Sequence, residues 1–297
     1  MSYYSIGEFY KEKFGSKVYK IAIDAGCTCP TRDGTKGNKG CIFCSANGSG
    51  DFVPSKKLSI SEQIKQAKEI IQKKVKKEIK YIAYFQNFTN TYGDEKLLVQ
   101  KYNEAISCEN VCGISIATRP DCISSSILKE IAALCKKTFV TIELGFQTSK
   151  EESADYIRRG FSNQEYLEAV KRIHQADSRI HVVTHLIFGL PGENHDDMMN
   201  SVKFCLNAKT DGIKFTVLYV LKGTDLEKDY QAGKFDVLEM DEYFALLKSA
   251  LELIPPKIVI HRLTGDGPKK LLIAPMWTAN KKNVLNAINN TIIGIQV

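Results

Sequence analysis

Short apolar, β-branched runs alternate with longer stretches of helical period along most of this chain, and that alternation restricts the fold more than any other feature. It is typical of βα units, in which helices cover the faces of a parallel sheet. The predicted strands are 18–25, 81–88, 113–118, 139–145, 180–189 and 212–220, and the predicted helices are 59–79, 95–107, 124–136, 163–175, 195–207 and 240–253. Six units are fewer than the eight of a closed barrel, so we expect an open sheet or a partial barrel with a gap.

The organisation of the 297 residues favours one domain, because no linker, repeat or sharp change of composition interrupts them. We predict a barrel over 1–255 with a lead-in at 1–17, followed by an extension over 256–297 that packs on the barrel. The sequence has neither a run of about 18 apolar residues nor the apolar core of a signal peptide. A folded cytoplasmic protein without a membrane partner is therefore expected.

The charge balance gives only a weak indication of partners. Forty-one Lys and Arg against 34 Asp and Glu leave a net charge of +7, which permits an anionic partner without requiring one. Without a secretory signal, the nine cysteines are expected to be reduced thiols. Their spacing is therefore a guide to metal or redox chemistry.

Four of the cysteines follow the first predicted strand, at Cys27, Cys29, Cys41 and Cys44. Two interpretations compete, a structural zinc held by four thiolates and an iron–sulfur cluster. The single residue between Cys27 and Cys29 fits a zinc ribbon poorly. The glycine-rich, basic stretch before Cys41 offers backbone N–H groups to cluster sulfurs.

The cysteine loop resembles that of radical S-adenosylmethionine (SAM) enzymes. The matching runs are CPTRDGT at 29–35 and GCIFC at 40–44, and they resemble the elongator-catalytic-subunit-like branch, within it the YhcC-type family. Further matching stretches are YFQNFTNTYG at 84–93, SIATRPDC at 115–122, ELGFQT at 143–148, RRG at 158–160, HLIFGLPGE at 185–193, LKGT at 221–224 and HRLTGDGPKKLLIAPMWTANK at 261–281. The series covers nearly the whole chain, and it implies an α/β fold, a partial (β/α)6 barrel with a C-terminal extension.

The resemblance implies that Cys29, Cys41 and Cys44, called here the cluster cysteines, ligate three irons of a 4Fe-4S cluster. The fourth iron is then left for SAM, and an electron from the cluster cleaves SAM to a 5′-deoxyadenosyl radical that abstracts hydrogen from a substrate. Cys27 is interpreted as a neighbour of the cluster, because the family pattern begins at the cysteine before the proline.

A second set of residues is predicted to bind SAM. Glu143 stands out without the resemblance, since a carboxylate inside an apolar strand is costly unless something pairs with it. By resemblance, Glu143 and Arg159 contact the ribose and carboxylate of SAM, and a Gly-Leu-Pro-Gly turn contacts the adenine. The predicted SAM-binding residues are Phe43, Gln86, Asn90, Glu143, Arg159, Ile187, Gly189 and Leu190.

Substrate contacts are predicted at strand ends and in the C-terminal segment. The candidates are Asp24, Asp121, His185, Thr216, Tyr219, His261, Arg262 and Asp266. For a single His or Asp in this group, a structural hydrogen bond explains its presence equally well. The chain departs from the family pattern at Thr216 and Phe161, where histidine is usual, which suggests a substrate different from that of common members.

A subgroup that resembles this family is queuine lyase, a C–N lyase that releases 7-aminomethyl-7-deazaguanine from queuine in queuosine salvage, and that reaction is our first functional hypothesis. Carboxylates would suit the guanine-like edge of the base. The expected partners are a small molecule with a deazaguanine base and a reducing electron donor such as flavodoxin or ferredoxin. A tRNA-modifying or other small-molecule radical enzyme is the first alternative, although tRNA is the less favoured partner. The second alternative is a non-catalytic zinc or iron–sulfur protein that binds nucleic acid.

Overall fold

The predicted alternation of strands and helices is confirmed in the computed structural model, which describes residues 3–48, 53–73, 75, 79–265 and 267–293. The strands are β1 (Val18–Ile23), β2 (Lys80–Phe85), β3 (Val111–Thr118), β4 (Phe139–Gln147), β5 (His181–Phe188), β6 (Gly212–Val217), β7 (Val220–Leu221), β8 (Val259–Arg262) and β9 (Leu272–Ala274). The α-helices are α1 (Ile6–Phe14), α2 (Ile60–Gln72), α3 (Glu95–Ile106), α4 (Ser125–Leu134), α5 (Glu151–Tyr156), α6 (Asn163–Ala176), α7 (His195–Asn207), α8 (Asp225–Gln231), α9 (Met240–Leu253) and α10 (Lys281–Ile288).

Polar residues at the helix starts explain where several helices begin. Ser59 accepts a hydrogen bond from the backbone amide of Glu62, and the Glu62 carboxylate accepts one from the Ser59 amide, so a capping box starts α2. Asp94 caps α3 by accepting from the amides of Lys96 and Leu97. Such caps satisfy amides that have no partner within the helix.

Seven parallel strands form one curled sheet, a half-barrel with the strand order β1-β2-β3-β4-β5-β6-β8. All six predicted strands belong to it, and a helix lies in each connection between consecutive members. Strands such as β2 are buried along nearly their whole length, as expected when helices cover a parallel sheet. The predicted partial barrel is therefore confirmed.

The seventh strand lies in the segment that the sequence assigned to the extension. β8 pairs in parallel with β6, and its Ile260 amide also donates to the Tyr4 carbonyl at 2.8 Å. β8 is only four residues long, too short for an alternating pattern to predict it. The next strand, β9, pairs antiparallel with β7 in a separate two-stranded sheet.

The contact between β6 and β8 generates a stability prediction at Gly212. A Cβ atom there would lie 2.7 Å from the His261 ring and 2.9 Å from the Val259 carbonyl oxygen, which is closer than packed atoms tolerate. We expect Gly212→Ala to lower the free energy of unfolding by about 1–3 kcal/mol, the usual cost of overpacking. Urea unfolding of the anaerobically reconstituted protein measures it.

The matched control is Gly7→Ala in α1. The nearest atom to a Cβ at Gly7 is Ser5 Oγ, at 3.8 Å, and alanine is the better helix former by about 0.5–1 kcal/mol. This variant should be as stable as the parent or slightly more stable. An equal loss of stability in both variants would contradict the packing explanation.

Candidate active site

The loop between β1 and α2 folds back on itself and brings the cluster cysteines to one cavity. The amide of Arg32 donates to the Cys29 carbonyl at 2.9 Å, and the amide of Cys44 donates to the Cys41 carbonyl at 3.1 Å. Gly40, just before Cys41, has a φ of +70°, and a Cβ there would lie 2.7 Å from Arg32 Nε. Glycine is required at this close approach.

The cavity has a volume of about 240 Å³. Its walls come from the cysteine loop, from the inner faces of the strands and from the loops that follow the strands, which is where barrel enzymes place their chemistry. Besides the cluster cysteines, the predicted site residues that line it are Phe43, Gln86, Glu143, Arg159, His185, Ile187, Thr216, Tyr219 and Arg262. The predicted site residues that line the cavity come from seven regions of the chain.

Arginines create a positive environment around the thiols. A hydrogen bond with Cys44 is the main influence that lowers the pKa of Cys41 to about 7, and Arg119 and Arg32 lower it further, against the opposing effect of burial. Burial raises the pKa of Cys29, although a hydrogen bond with Thr89 opposes this effect. Because the thiolate is the form that binds metal, the arginines favour ligation. Neither Arg32 nor Arg119 was predicted to contribute.

Cys27 has a different environment. It packs against the main hydrophobic core and is not among the residues that line the cavity. Burial is the main influence that raises its pKa to about 12. A thiol held in its neutral form is a poor ligand. This placement agrees with the interpretation of Cys27 as a neighbour of the cluster.

Each strand of the half-barrel contributes one polar side chain to a common interior layer. This interior layer consists of Lys20, Tyr84, Ser115, Glu143, His185, Lys214 and Arg262, from β1, β2, β3, β4, β5, β6 and β8 in turn. In an ordinary closed barrel the corresponding interior is filled by branched apolar side chains. The polar interior layer is therefore a surface suited to binding a ligand.

Glu143 is the centre of the interior layer and is fully buried. One carboxylate oxygen accepts hydrogen bonds from Lys20 and Ser115, and the other contacts His185 Nε2 at 2.6 Å and Lys214 Nζ at 3.0 Å. Burial raises the pKa of this carboxyl, but Lys20 and Lys214 outweigh it, so the pKa lies well below its usual range. The structure supplies the pairing that the sequence required, through two lysines that were not predicted.

Other members of the interior layer have pKa values shifted toward their neutral forms. Burial is the main influence that lowers the pKa of His185 to about 4, against the hydrogen bond with Glu143 that raises it. Burial likewise lowers the pKa of Lys214 to about 7, with Glu143 opposing and Arg262 and Lys20 reinforcing the shift. Perturbed groups of this kind are typical of functional sites.

Three predicted substrate residues are not among the residues that line the cavity. Asp24 accepts from the amide of Gly26 and from the Asn87 side chain, and Asp121 forms ion pairs with Arg119 and Lys36. Their carboxylates are engaged in local structure. A further candidate, Asp266, lies outside the described residues.

His261 is the third predicted substrate residue that does not line the cavity, and its ring lies near the amino end of β5. It stacks on His181, the first residue of β5, with the two Nε2 atoms 3.0 Å apart. The pairing of β6 with β8 shifts between Ile213 and Lys214, whose partners are Ile260 and Arg262, so His261 is the extra residue of a β-bulge. His261 lies against His181, and of the two neighbours Arg262 alone lines the cavity.

The predicted SAM-binding residues that do not line the cavity are Asn90, Gly189 and Leu190. Asn90 is buried, and its amide group donates to the carbonyls of Asn87 and Ala117. Gly189 has a φ of +86° in the turn after β5, and Leu190 packs with Ile42 in a second hydrophobic cluster. These three residues shape the backbone next to the cavity.

Arg159 lines the cavity with its guanidinium already engaged. It donates to the carbonyl oxygens of Phe161 at 2.9 Å and Thr148 at 2.6 Å, and it pairs with Glu151 and Asn163. These bonds fix the turn between α5 and α6. Its predicted contact with SAM remains a prediction.

The comparisons with known proteins agree with this geometry. Residues 33–205 match the family model described as the Radical SAM superfamily, and residues 210–293 match the Radical_SAM C-terminal domain. The chain belongs to the radical SAM superfamily. The family match covers more than half of the chain.

Relatives place this radical SAM protein within the elongator-like, YhcC-type family. It is similar to the uncharacterized protein YtqA of Bacillus subtilis, 42% identical over 97% of this chain and 88% of that protein. It is also similar to YhcC of Escherichia coli K12, 30% identical over 91% of this chain and 85% of that one. The solved Elp3 of Methanocaldococcus infernus shares the fold, with a TM-score of 0.62 and 18% identity over 87% of this chain and 59% of that one.

A radical SAM protein uses a 4Fe-4S cluster and SAM, and the residues present fit both. The cluster cysteines share one cavity with Arg32 and Arg119, an arrangement that suits an anionic thiolate-bound cluster. Within the described residues, no three His, Cys, Asp or Glu side chains converge on a single metal ion, which is compatible with a 4Fe-4S cluster because each of its cysteines binds a separate iron. Among the helices of the described residues, none has the length and apolar character needed to cross a membrane.

The cluster assignment predicts different effects for neighbouring cysteines. We expect Cys29→Ala to lose most of the bound iron and the brown colour of the anaerobically purified protein, because a cluster ligand is removed. Cys27→Ala should retain both. Iron analysis and the visible absorption spectrum measure the two outcomes, and equal iron contents in the two variants would remove Cys29 from the ligand set.

The buried carboxylate predicts a large stability effect. Glu143→Gln leaves Lys20 without its counter-charge, so we expect the free energy of unfolding to fall by about 3–5 kcal/mol. The exposed Glu252→Gln is the control and should change it by less than about 0.5 kcal/mol. Urea unfolding at neutral pH measures both variants.

The same measurement repeated at lower pH tests the charge itself. Because the folded-state pKa of Glu143 lies below its usual value of 4.5, its ionisation stabilises the fold above that pH, and the stabilisation is lost as pH falls further. The difference between parent and Glu143→Gln should therefore shrink below about pH 4.5. A difference independent of pH would mean that shape, and not charge, is responsible.

Proposed function

We propose that this protein is a radical SAM enzyme that acts on a small molecule bound in the cavity between the cysteine loop and the interior layer. The observation that supports the proposal is that the cluster cysteines line the same cavity as five interior-layer side chains, Tyr84, Glu143, His185, Lys214 and Arg262. A substrate bound there would lie between the cofactors and a set of hydrogen-bonding groups. Family membership favours this enzyme over the non-catalytic alternative.

The specific reaction that we propose is C–N cleavage of queuine, with release of 7-aminomethyl-7-deazaguanine. The support lies in Thr216 and Phe161, where the chain departs from the family pattern, since both side chains line the cavity. A threonine and a phenylalanine in place of two histidines change its shape and its hydrogen-bonding capacity together. A binding site with those changes would select a substrate of its own.

In this proposal the cluster cysteines would hold a 4Fe-4S cluster, which with SAM and an electron from a donor such as flavodoxin or ferredoxin would supply the radical chemistry that removes hydrogen from a ring carbon that carries a hydroxyl. The residues of the chain have other tasks. Lys214, Arg262 and Thr216 are the groups that would contact the hydroxyls of the cyclopentenediol ring, because each is a polar side chain that lines the cavity and can form hydrogen bonds. Apolar lining residues such as Ile187 and Phe161 would exclude water from the ring.

An anaerobic assay tests the reaction. The reconstituted protein is incubated with SAM, dithionite and queuine, and products are followed by mass spectrometry. We expect 5′-deoxyadenosine together with 7-aminomethyl-7-deazaguanine, and neither product from Cys29→Ala. Deoxyadenosine without the deazaguanine product would reject queuine as substrate, and tight tRNA binding at physiological salt would then favour a tRNA-modifying reaction.

A variant at the altered position tests the structural reasoning. Thr216→His restores the residue that the family pattern carries, and the larger ring would occupy space that we assign to queuine. We expect the yield of 7-aminomethyl-7-deazaguanine to fall at least tenfold. Far-ultraviolet circular dichroism and iron content show whether the variant remains folded and loaded.

A further inference from the structure

Lys214 is a lysine of the cavity, with 12% of its side chain exposed, that neither the sequence analysis nor the cofactors explain. It stands in the middle of β6, and its Nζ lies 3.0 Å from Tyr84 Oη and 3.0 Å from Glu143 Oε2. It also lines the cavity. A lysine that only neutralised Glu143 would not need to face the substrate.

The charges of the interior layer do not require Lys214 to be protonated. Lys20 already forms an ion pair with Glu143, so one carboxylate has one cation without Lys214. Arg262 adds a further positive charge, and its guanidinium has no hydrogen bond or ion pair with the residues that the structure describes. A proton on Lys214 would therefore place a third cation around a single carboxylate in a partly buried site, which is unfavourable.

The geometry around Nζ suits a neutral amine. A neutral lysine carries two N–H bonds and one lone pair. Tyr84 Oη and Glu143 Oε2 are two acceptors at hydrogen-bond distance, so both N–H bonds have partners within the protein. The lone pair is then left for a group in the cavity.

We propose that Lys214 accepts the proton of a substrate hydroxyl and that Arg262 binds the oxygen left behind, an inference that rests on the proposed reaction of a hydroxyl-bearing small molecule. In this step the O–H bond breaks, a third N–H bond forms on Lys214, and the electron pair stays on the oxygen. The new ammonium donates to Tyr84, to Glu143 and to the oxygen itself. Negative charge on that oxygen favours loss of a substituent from the neighbouring carbon.

The ionisation of the surrounding groups supports this assignment. Burial lowers the pKa of Lys214 to about 7, close to the value at which a general base works best at neutral pH. The other groups that face it are Lys20, Tyr84, Glu143, His185 and Arg262. Burial raises the pKa of Tyr84 well above its usual value, so it stays protonated. His185, with its pKa lowered to about 4, is the weaker base.

Two variants test the proton transfer with queuine as substrate. Lys214→Arg keeps the positive charge but cannot accept a proton, and we expect deazaguanine formation to fall at least 100-fold while 5′-deoxyadenosine still forms. Lys214→Ala should lose product similarly and recover at least tenfold with added ethylamine, which replaces the missing amine. Lys248→Arg, on the exposed face of α9, is the matched control and should keep the parental rate.

The pH profile separates proton transfer from a structural role. The parental rate should rise as pH passes about 7, because the amine must be neutral to accept a proton. Lys214→Ala with ethylamine should show the rise at a higher pH, nearer the pKa of the free amine. A parental profile retained in Lys214→Arg, or a Lys214→Ala that ethylamine does not rescue, would overturn the proposal.

A measurement without substrate distinguishes this inference from the proposed function. Competitive labelling with acetic anhydride over a pH series, read by mass spectrometry of the Lys214 peptide, gives the pKa of Lys214 in the reconstituted protein. A midpoint near 7 supports the inference even if queuine is not a substrate, and a midpoint above 9 overturns it even if queuine is cleaved. Failure of the queuine assay alone rejects only the proposed reaction.

Discussion

Burial of one carboxylate at the centre of the half-barrel determines the composition of the interior around it. Glu143 is fully buried, and an ionised carboxylate in such a place is stable only with cations and hydrogen-bond donors directed at it. Lys20, Ser115, His185 and Lys214 supply them from four other strands. Because these side chains take the positions that apolar residues fill in a closed barrel, the interior stays polar. The cavity exists because polar side chains, and not apolar ones, occupy these interior positions.

The cysteine loop depends on a different part of the molecule. Ile42, between Cys41 and Cys44, lies in the second hydrophobic cluster and makes backbone hydrogen bonds to Ile157 and Leu226. These contacts connect the loop to the turn after α5 and to the start of α8. Cys41 and Cys44 are therefore held by packing in a cluster that is separate from the main core, whereas Cys29 follows Cys27, which packs against the main core.

The sequence predicted those features that leave a periodic or local signal. Six strands and the helices between them followed from alternation, and the cysteine loop and the unusual position of Glu143 could be recognised residue by residue. The lysines that pair with Glu143 could not, because Lys20 and Lys214 lie 123 and 71 residues away from it along the chain. A lone lysine in an apolar strand can be noticed in the sequence as the lone glutamate was, but its pairing with that glutamate cannot.

The hydrophobic pattern of the sequence could not predict very short strands or the positions of individual side chains. β8 has four residues, so its membership of the sheet depends on tertiary pairing with β6 and not on its own period. His261 and Arg262 illustrate the second difficulty, since a β-bulge in the pairing of β8 with β6 decides where the two side chains lie. The acidic residues Asp24 and Asp121 follow strands as expected, but neighbouring amides and cations already occupy their carboxylates.

The seventh strand has a consequence for how the chain acquires its structure. β8 pairs with β6 on one side, and its Ile260 contacts the Tyr4 carbonyl near the amino terminus, so residues more than 250 positions apart along the chain meet there. Contacts of such long sequence separation form late, because the loop-closure entropy must be overcome first. During synthesis the edge of β6 remains unpaired until β8 has left the ribosome. Until then the nascent chain presents an open strand edge, the kind of surface that chaperones recognise and that aggregation exploits.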